Sequence, residues 1–373
     1  MVSRREADDR LFRTIITVLT ALLAVGSFYI VWRCRRFGFV KRLAGGRKWL
    51  EWLTASASLL PIAAFFLVNL YAVIIVWMHV IVFLALGDLI GFVIRKARKR
   101  PRGDLAGMIS LCLVTVYLAC GWFFAHHVFE TRETFTTAKD LGAERIRVVE
   151  IADAHIGVTL DGEGFAKQME RVCAAEPDVV VLVGDFVDDD TERGDMLRAC
   201  DALGEINAKY GVYMVLGNHD MGYFDYRNFS TDELFAALDA NGVRVLRDEA
   251  VIIDSRFYLI GRRDRSERGR LSASELTDAL DGTKYAIMLD HQPNDYDAEA
   301  ESGVDLVLSG HTHGGHVFPA GLIGLWSGAN DRTYGSERRG GTDFYVTSGI
   351  SGWGIPFKTG CISEFVVIDI VNE

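Results

Sequence analysis

Hydrophobic and polar positions follow different patterns in the two parts of the chain. Residues 1–130 contain long apolar runs with no short period, at 11–32, 53–94 and 105–125. A helix of about 20 apolar residues is long enough to cross a bilayer. This part of the chain is therefore predicted to be an all-α transmembrane region.

Basic clusters indicate how many times the chain crosses. Lys and Arg are concentrated at 33–48 and 95–102, on either side of the 42-residue run at 53–94. Positively charged loops stay on the cytoplasmic side, so the chain must cross an even number of times between these clusters. The run is therefore predicted to form two spans, with a turn near Pro61 or Asn69. Together with the flanking runs, this predicts about four helices.

Four spans place the amino terminus outside and deliver residues from 131 onward to the extracytoplasmic side. The arginines near the amino terminus favour the opposite orientation of the first span; they are Arg4, Arg5, Arg10 and Arg13. Two ionisable residues, His79 and Asp88, lie inside the apolar region, where such residues often serve transport or sensing. Asp88 is close to a basic edge, so snorkelling or helix capping is the favoured interpretation.

After a polar linker predicted at 131–145, short apolar runs alternate with amphipathic helices. Strands are predicted at 146–151, 179–183, 212–216, 285–289, 304–308 and 344–347. They are rich in Val, Ile, Leu and Tyr, which is typical of strands buried on both faces. Ser230 with Glu233, and Ser272 with Glu275, predict capping boxes at helix starts. Residues 146–373 are therefore predicted to form an α/β domain.

Charge and cysteine content exclude some classes of protein. Residues 1–130 contain 17 Lys and Arg against 7 Asp and Glu, whereas the remaining residues contain 23 against 43. Binding to a nucleic-acid duplex requires clustered basic residues, so the acidic second part argues against it. The six cysteines show no paired spacing, so neither a disulfide framework nor a zinc knuckle is indicated.

Five of the predicted strands are followed directly by residues of metal-ligand type. In open α/β sheets, ligands bind at the carboxyl ends of the strands, so these five segments are expected to converge. The ligand-type residues and their neighbours are Asp153, His155, Asp185, Asn218, His219, Asp220, His291, His311 and His313.

Carboxylate, imidazole and amide groups together suit Mn, Fe or Zn. The ligands are too many for one tetrahedral ion, so two divalent metal ions that share a carboxylate fit better. Two such ions can clamp the attacking and leaving oxygens of an in-line displacement. Each motif is weak evidence alone, but five in order at strand ends indicate a metal centre.

These motifs resemble the calcineurin-like metallophosphoesterase superfamily over residues 146–370, and in particular its membrane-anchored bacterial phosphohydrolases. The resemblance implies a two-sheet β-sandwich flanked by helices. It also implies that Asp185 bridges two metals and that His219 donates a proton or stabilises the phosphoryl charge, oriented by Asp220. The other ligands implied are Asp153, His155 and His313 for one metal, and Asn218, His291 and His311 for the other.

Two further features belong to the resemblance. Asp264 and the 349–356 stretch correspond to loops around the family's site. His316 is a departure, because Gln commonly follows the His-Gly-Gly sequence at this position, and this bears on specificity.

The resemblance implies hydrolysis of a phosphodiester, pyrophosphate or phosphomonoester by an activated water that bridges the metals. A multi-pass protein of the bacterial cytoplasmic membrane with an outward catalytic domain favours a lipid or cell-envelope phosphoester. The apolar stretches 221–229 and 317–326 are candidates for a lipid-facing or base-stacking wall, with ordinary loop packing as the alternative.

Two rival functions stay open at this point. One is a tethered phosphoesterase for soluble nucleotides or phosphomonoesters. The other is a membrane sensor or transporter with an accessory hydrolase domain. The expected partners are the lipid bilayer and a phosphoester substrate, and the sequence does not indicate an oligomeric state.

Overall fold

Apolar helices fill the first part of the chain and two β-sheets fill the second, as seen in a computed structural model. It describes residues 4–98, 105–224 and 226–373. The chain divides into two units, Met1–Ala119 and Cys120–Glu373. The helices of the first part are α1 (Arg4–Cys34), α2 (Gly38–Leu43), α3 (Lys48–Ser56), α4 (Leu60–Ala63), α5 (Leu70–Arg98) and α6 (Leu105–His126).

Four helical segments are long and apolar enough to cross a membrane, which confirms the predicted number. They are Thr17–Cys34, Lys48–Leu67, Leu70–Ile94 and Leu105–His126. The second segment is composite, because 3₁₀ turns at Ala57–Leu59 and Ala64–Leu67 interrupt its α-helical pieces.

The turn inside the long apolar run lies at Asn69, one of the two predicted positions. The Asn69 side-chain oxygen accepts a hydrogen bond of 2.7 Å from the Ala72 backbone N–H, which caps the start of α5. Pro61 instead lies at the start of α4, where it needs no backbone donor.

Asp88 forms an ion pair within the first unit, in place of the predicted snorkelling or capping. Its Oδ1 accepts a hydrogen bond from Arg33 Nε at 2.8 Å, and its Oδ2 accepts one from the Tyr29 hydroxyl at 3.2 Å. A charge in an apolar setting is favourable only with such a partner. His79 bonds through Nδ1 to the Ile75 carbonyl at 2.7 Å, a local helical contact. Lys99, Arg100 and Arg102 of the second basic cluster lie outside the described residues.

Two six-stranded sheets form the core of the second unit, which confirms the predicted two-sheet sandwich. Their strand orders are β1-β12-β2-β3-β4-β5 and β10-β11-β9-β8-β7-β6. The strands are β1 (Val128–Thr137), β2 (Arg145–Ile151), β3 (Val179–Val183), β4 (Val212–Val215), β5 (Val243–Val245), β6 (Glu249–Ile253), β7 (Phe257–Gly261), β8 (Tyr285–Leu289), β9 (Leu306–Ser309), β10 (Gly335–Arg339), β11 (Thr342–Val346) and β12 (Ser363–Asn372).

Helices cover the outer faces of both sheets. On β3, Val179, Val181 and Val183 face the other sheet, while Val180 and Leu182 face the helices. This alternation explains why the strand is apolar throughout. The helices of the second unit are α7 (Gly162–Ala174), α8 (Arg193–Gly204), α9 (Thr231–Ala240), α10 (Ala273–Thr277), α11 (Tyr296–Glu301) and α12 (Ala320–Ser327), of which α12 buries no residue.

The start of the second unit differs from the sequence prediction. Much of the linker expected at 131–145 belongs to β1, which pairs in parallel with β12 over ten residues. Its residues alternate between exposed and partly buried positions, because β1 is an edge strand of the sheet. This explains why its polar sequence is easily taken for a linker.

Candidate metal centre

The predicted ligand residues lie in the loops that follow β2, β3, β4, β8 and β9. Backbone hydrogen bonds hold these loops together: Asp153 N–H donates to the Gly184 carbonyl and His155 N–H to the Asp185 carbonyl, both at 3.0 Å. Parallel strands end at the same edge of a sheet, so the loops of each sheet meet there. The structure therefore brings the sequence-predicted residues into one place.

Two ligand groups form around one carboxylate. Asp153, His155 and His313 have ligand atoms within 4.8 Å of one another, and so do those of Asp185, His291 and His311. Each group can hold a metal ion by the types of its atoms. These two groups contain six of the ligands that the family resemblance implies.

Asp185 lies between the two groups. Its Oδ2 is 3.6 Å from His155 Nε2 and 3.1 Å from His291 Nε2. Its Oδ1 accepts a hydrogen bond from the His219 backbone N–H at 2.9 Å. One carboxylate oxygen therefore faces both groups while the other fixes the next loop.

Several buried polar atoms in the centre make no hydrogen bond within the described part of the chain. They are Asp153 Oδ2, His155 Nε2, Asn218 Oδ1, His291 Nε2 and His313 Nδ1. Leaving such atoms without a partner costs about 1–3 kcal/mol each. Since all five are metal-ligand atoms that converge, the residues fit a group of bound cations.

Hydrogen bonds orient individual ligands towards the centre. His155 Nδ1 lies 3.2 Å from Asp188 Oδ2, and His291 Nδ1 lies 2.8 Å from the Val183 carbonyl, which leaves Nε2 of each ring for a metal. Asn218 donates through Nδ2 to the Tyr223 hydroxyl at 2.8 Å, so its Oδ1 is directed away from that bond.

Asp188 is a further candidate residue of the centre, and the sequence analysis did not identify it. It is buried and directly contacts a predicted ligand, His155. The signal was present, since Asp188 is the second aspartate of the Gly-Asp-x-x-Asp motif, but that motif alone is weak evidence.

Burial and charge shift the pKa values of the ligands in opposite directions. Burial by itself would lower the pKa of His291, but Asp185 and Asp153 raise it well above its ordinary value. Burial would raise the pKa of Asp185, but His291 and His155 hold it well below its usual range. Burial lowers the pKa of His311 to about 4, which keeps its nitrogen free to bind a cation. The Asp185 carboxylate is therefore ionised at neutral pH.

The backbone at the centre is strained. Five predicted ligands have positive φ angles: 53° at Asp153, 36° at His155, 51° at Asp185, 68° at His311 and 47° at His313. This left-handed region is unfavourable for residues other than glycine, and such strain clusters at functional sites. The fold therefore imposes these side-chain positions against local preference.

Asp220 has different partners from the predicted one. Its carboxylate is buried and accepts hydrogen bonds from four backbone N–H groups at 2.7–3.1 Å. The donors are Asp185, Phe186, Val187 and Gly217. Asp220 therefore joins the loops after β3 and β4, and it acts as a positioning residue for Asp185.

His219 lies beside the predicted ligands and beside two aromatic side chains. Its ring centroid is 5.0 Å from that of His155, 5.0 Å from Tyr223 and 5.5 Å from Trp353. With His155 and Asp188 it also forms a third group of possible ligand atoms. Burial lowers the pKa of His219, with the Asp185 carboxylate opposing this shift.

The secondary residues of the resemblance lie around the centre. Asp264 accepts two hydrogen bonds from Gln292 Nε2, the residue that follows His291. His316 bonds through Nε2 to the Ile355 carbonyl at 3.0 Å, which requires a hydrogen on that nitrogen, and it stacks on His313 at 5.2 Å. His316 thus connects the His-Gly-Gly loop to the 349–356 stretch. Of the 221–229 stretch, Asp225 lies outside the described residues.

Comparison with known proteins agrees with this geometry. The chain matches the family described as calcineurin-like phosphoesterase over residues 146–315. It is 35% identical over 247 residues to an uncharacterized metallophosphoesterase of Aquifex aeolicus, covering 64% of this chain and 90% of that protein. The chain belongs to the calcineurin-like metallophosphoesterase family, as its motifs indicated. It is a phosphoesterase, a hydrolase that acts at a metal centre.

Some relatives also have membrane segments. The chain is 30% identical over 237 residues to a transmembrane protein with metallophosphoesterase domain of Bos taurus, covering 59% of this chain and about half, 51%, of that protein.

Among solved structures, a dimetal phosphatase from Danio rerio has a TM-score of 0.36 at 11% identity, covering 54% of this chain and 86% of that one.

Proposed function

We propose that this protein hydrolyses a lipid or cell-envelope phosphoester at a dinuclear metal centre. The observation that supports two ions is the position of Asp185 Oδ2 between His155 Nε2 and His291 Nε2. The proposed ligands are Asp153, His155, Asp185 and His313 for one ion, and Asp185, Asn218, His291 and His311 for the other.

The donor set suits Mn, Fe or Zn, because imidazoles predominate and thiolates take no part in it. When bound, two such ions supply Lewis acidity for the phosphoryl oxygens and an activated water for in-line attack.

The chain's own residues orient the metal ligands and supply a proton to the leaving oxygen. Asp188 and the Val183 carbonyl fix the imidazoles of His155 and His291, and Asp220 fixes the backbone of the bridging residue. His219 is the proposed proton donor to the leaving oxygen. Its lowered pKa makes its protonated form a stronger acid than an ordinary imidazolium.

An apolar and aromatic border supports an amphipathic substrate. Phe224 is 63% exposed and stacks with Tyr226 at 5.5 Å, and Trp326 is 81% exposed. Exposed aromatic groups beside a polar centre suit a molecule with a phosphate head and an apolar part. We propose that both stretches contribute to a substrate wall.

Charge placement supports the proposed orientation. Both basic clusters lie between apolar segments and are assigned to the cytoplasm, so the catalytic domain lies outside. We accordingly propose a multi-pass protein of a bacterial cytoplasmic membrane, with residues 1–130 as the anchor and 146–373 as the catalytic domain.

The proposal is tested on the purified full-length protein in lipid vesicles. Metal content is measured by mass spectrometry, and hydrolysis is measured on a panel of phosphomonoesters, phosphodiesters and pyrophosphates, each in a lipid and a soluble form. We expect about two metal ions per chain and faster turnover of the lipid forms. Equal turnover of matched lipid and soluble forms would favour the tethered phosphoesterase instead.

The substrate wall is tested separately with Phe224→Ala and Trp326→Ala. Both variants should reduce the preference for lipid over soluble phosphoesters. An unchanged ratio of the two rates in the double variant would show that the wall does not select the substrate.

A further inference from the structure

The helix α12 is apolar on all sides and exposed. All eight of its residues are described, and none of them is buried. Ile323 is 58% exposed and Trp326 is 81% exposed, and Phe318 just before the helix is 58% exposed. A helix in water normally has a polar face, and a contiguous exposed apolar patch marks an interaction surface.

This helix is fixed to the loop that carries two predicted ligands. A Cβ placed on Gly315 would lie 2.7 Å from the Gly321 Cα, so the His-Gly-Gly backbone and the first turn of α12 are in direct contact. The Thr333 hydroxyl donates to the Gly321 carbonyl at 3.1 Å, and the Thr312 hydroxyl donates to the Thr333 carbonyl at 2.6 Å. Any surface that binds α12 therefore lies next to the metal centre.

The last turns of α6 are bonded to the same region. Residues 120–126 belong to the second unit. The Gly121 carbonyl accepts a hydrogen bond from Lys358 N–H at 2.9 Å, and the Trp122 ring meets the Phe357 ring edge-on at 5.5 Å. The neighbouring Thr359 hydroxyl accepts a hydrogen bond of 3.1 Å from Phe318 N–H. Two consecutive residues, Lys358 and Thr359, thus connect the end of α6 with the entrance to α12.

Aromatic residues cluster at the end of α6. Trp122 is followed by Phe123, Phe124 and Phe129, and the ring centroids of these three phenylalanines are 5.8–6.3 Å apart. Tryptophan and other aromatic side chains concentrate where a membrane meets water. Phe318, just before α12, lies close to this end of α6, because its partner Thr359 directly follows Lys358, the partner of Gly121.

We propose that α12 is an interfacial helix that inserts Phe318, Ile323 and Trp326 into the surface of the bilayer that α6 spans. Helices of this kind bury their apolar side chains about 5–10 Å deep at the head-group boundary. The bilayer is the proposed occupant because Phe318 of the patch bonds to Thr359, and the adjacent Lys358 bonds to the aromatic end of an apolar helix long enough to cross a membrane.

A groove runs from α12 to the glycines that follow His313. A cavity of about 400 Å³ lies between α12 and residues 331–334, and Phe318, Leu322, Leu325 and Gly314 help to line it. A lipid in the bilayer surface would meet the ligand loop along this groove. This last step rests on the proposed lipid substrate, whereas the insertion of α12 does not.

Depth-dependent fluorescence quenching tests the insertion in the full-length protein. Trp326→Phe serves as the background, and Ile323→Trp is compared with Ile252→Trp, a matched exposed position on β6. Vesicles contain either ordinary phospholipids or phospholipids brominated on the acyl chains. The signal of the added tryptophan is obtained by subtracting the background protein.

The Ile323→Trp signal should fall by at least about twofold in brominated vesicles, as expected for a buried interfacial residue, and the Ile252→Trp signal should stay unchanged. Equal quenching at the two positions would overturn the proposal. Quenching at Ile323→Trp without hydrolysis of any lipid phosphoester would leave α12 in the membrane and refute the lipid substrate instead. Lipid hydrolysis without quenching at Ile323→Trp would refute the insertion of α12 and would support the lipid substrate.

Discussion

Asp185 Oδ2 lies 3.1 Å from His291 Nε2, deep in the second unit. The same oxygen is 3.6 Å from His155 Nε2, so one carboxylate oxygen faces both ligand groups. Replacing Asp185 with Asn should release both metal ions and reduce hydrolysis by more than about 100-fold. Loss of a residue that only orients a metal ligand costs up to about 100-fold, and loss of a ligand itself should cost more.

This is measured as metal content and turnover of the full-length protein. Asp278→Asn, at an exposed aspartate on the surface, is the matched control and should behave like the wild type. Full metal content in Asp185→Asn would contradict the bridging role.

Asp188 orients His155 through a contact of 3.2 Å. Asp188→Ala should weaken metal affinity or activity by about 10–100-fold, because the ring is then free to rotate. Titration of the metal-free protein with Mn or Zn gives the affinity. The exposed neighbour Asp190 supplies the control, as Asp190→Ala. If this variant loses as much metal affinity as Asp188→Ala, the loss of a negative charge, and not the contact with His155, is the cause.

Gly217 lies against Asp185. A Cβ at this position would overlap the Asp185 side chain. Gly217→Ala should therefore displace the bridging carboxylate and destabilise the fold by about 1–3 kcal/mol, the usual cost of an extra group in a packed site. Gly194→Ala is the comparison, since a Cβ there has open space. Unfolding midpoints and metal content together report the effect, and equal behaviour of the two variants would rule out the clash.

The proposed acid, His219, should matter most for substrates with poor leaving groups. An alkoxide needs a proton as it leaves, whereas a nitrophenolate does not. His219→Gln should slow alkyl phosphoesters by about 10²–10⁴-fold and nitrophenyl esters less, with metal content retained. Similar losses on both substrates, or loss of metal, would assign His219 a different role.

Arg147 and Asp369 pair across β2 and β12, with two hydrogen bonds of 2.7 and 2.9 Å. The bond from Arg147 lowers the pKa of Asp369 in the folded protein. The resulting stabilisation is present above the unfolded pKa of about 3.9. It is lost as the pH falls through the lower folded value, because the unfolded state then binds the proton first.

Asp369→Asn should thus lower the unfolding free energy by about 1 kcal/mol at pH 7, as for a partly exposed pair, and by much less at acid pH. Thermal unfolding at several pH values measures the difference. Asp297→Asn, in a pair whose carboxylate is 91% exposed, should change little at any pH. A constant deficit for Asp369→Asn down to acid pH would exclude the ionic explanation.

Local patterns in the sequence predicted the strands that carry the centre. β3 and β8 have the predicted bounds, because each is a short apolar run buried on both faces and ended by a polar loop. The capping boxes at Ser230 and Ser272 are present as predicted, since each depends only on residues three positions apart.

Local sequence patterns did not predict the contacts between residues that are far apart in the chain. β1 is stabilised by β12, more than 200 residues away, so its own polar sequence gave no strand signal. The four N–H donors of Asp220 come from two loops that meet only after both sheets have formed. The ligand types followed from strand ends, but the partners that position them depend on the assembled fold.

The left-handed backbone at Asp153, His155, Asp185, His311 and His313 has an evolutionary consequence. Glycine or asparagine would relieve the strain at each of these positions. A population selected for heat resistance in the absence of metal would therefore accumulate such replacements and lose the enzyme. Thermal stability and metal binding therefore make opposing demands on these five backbone positions.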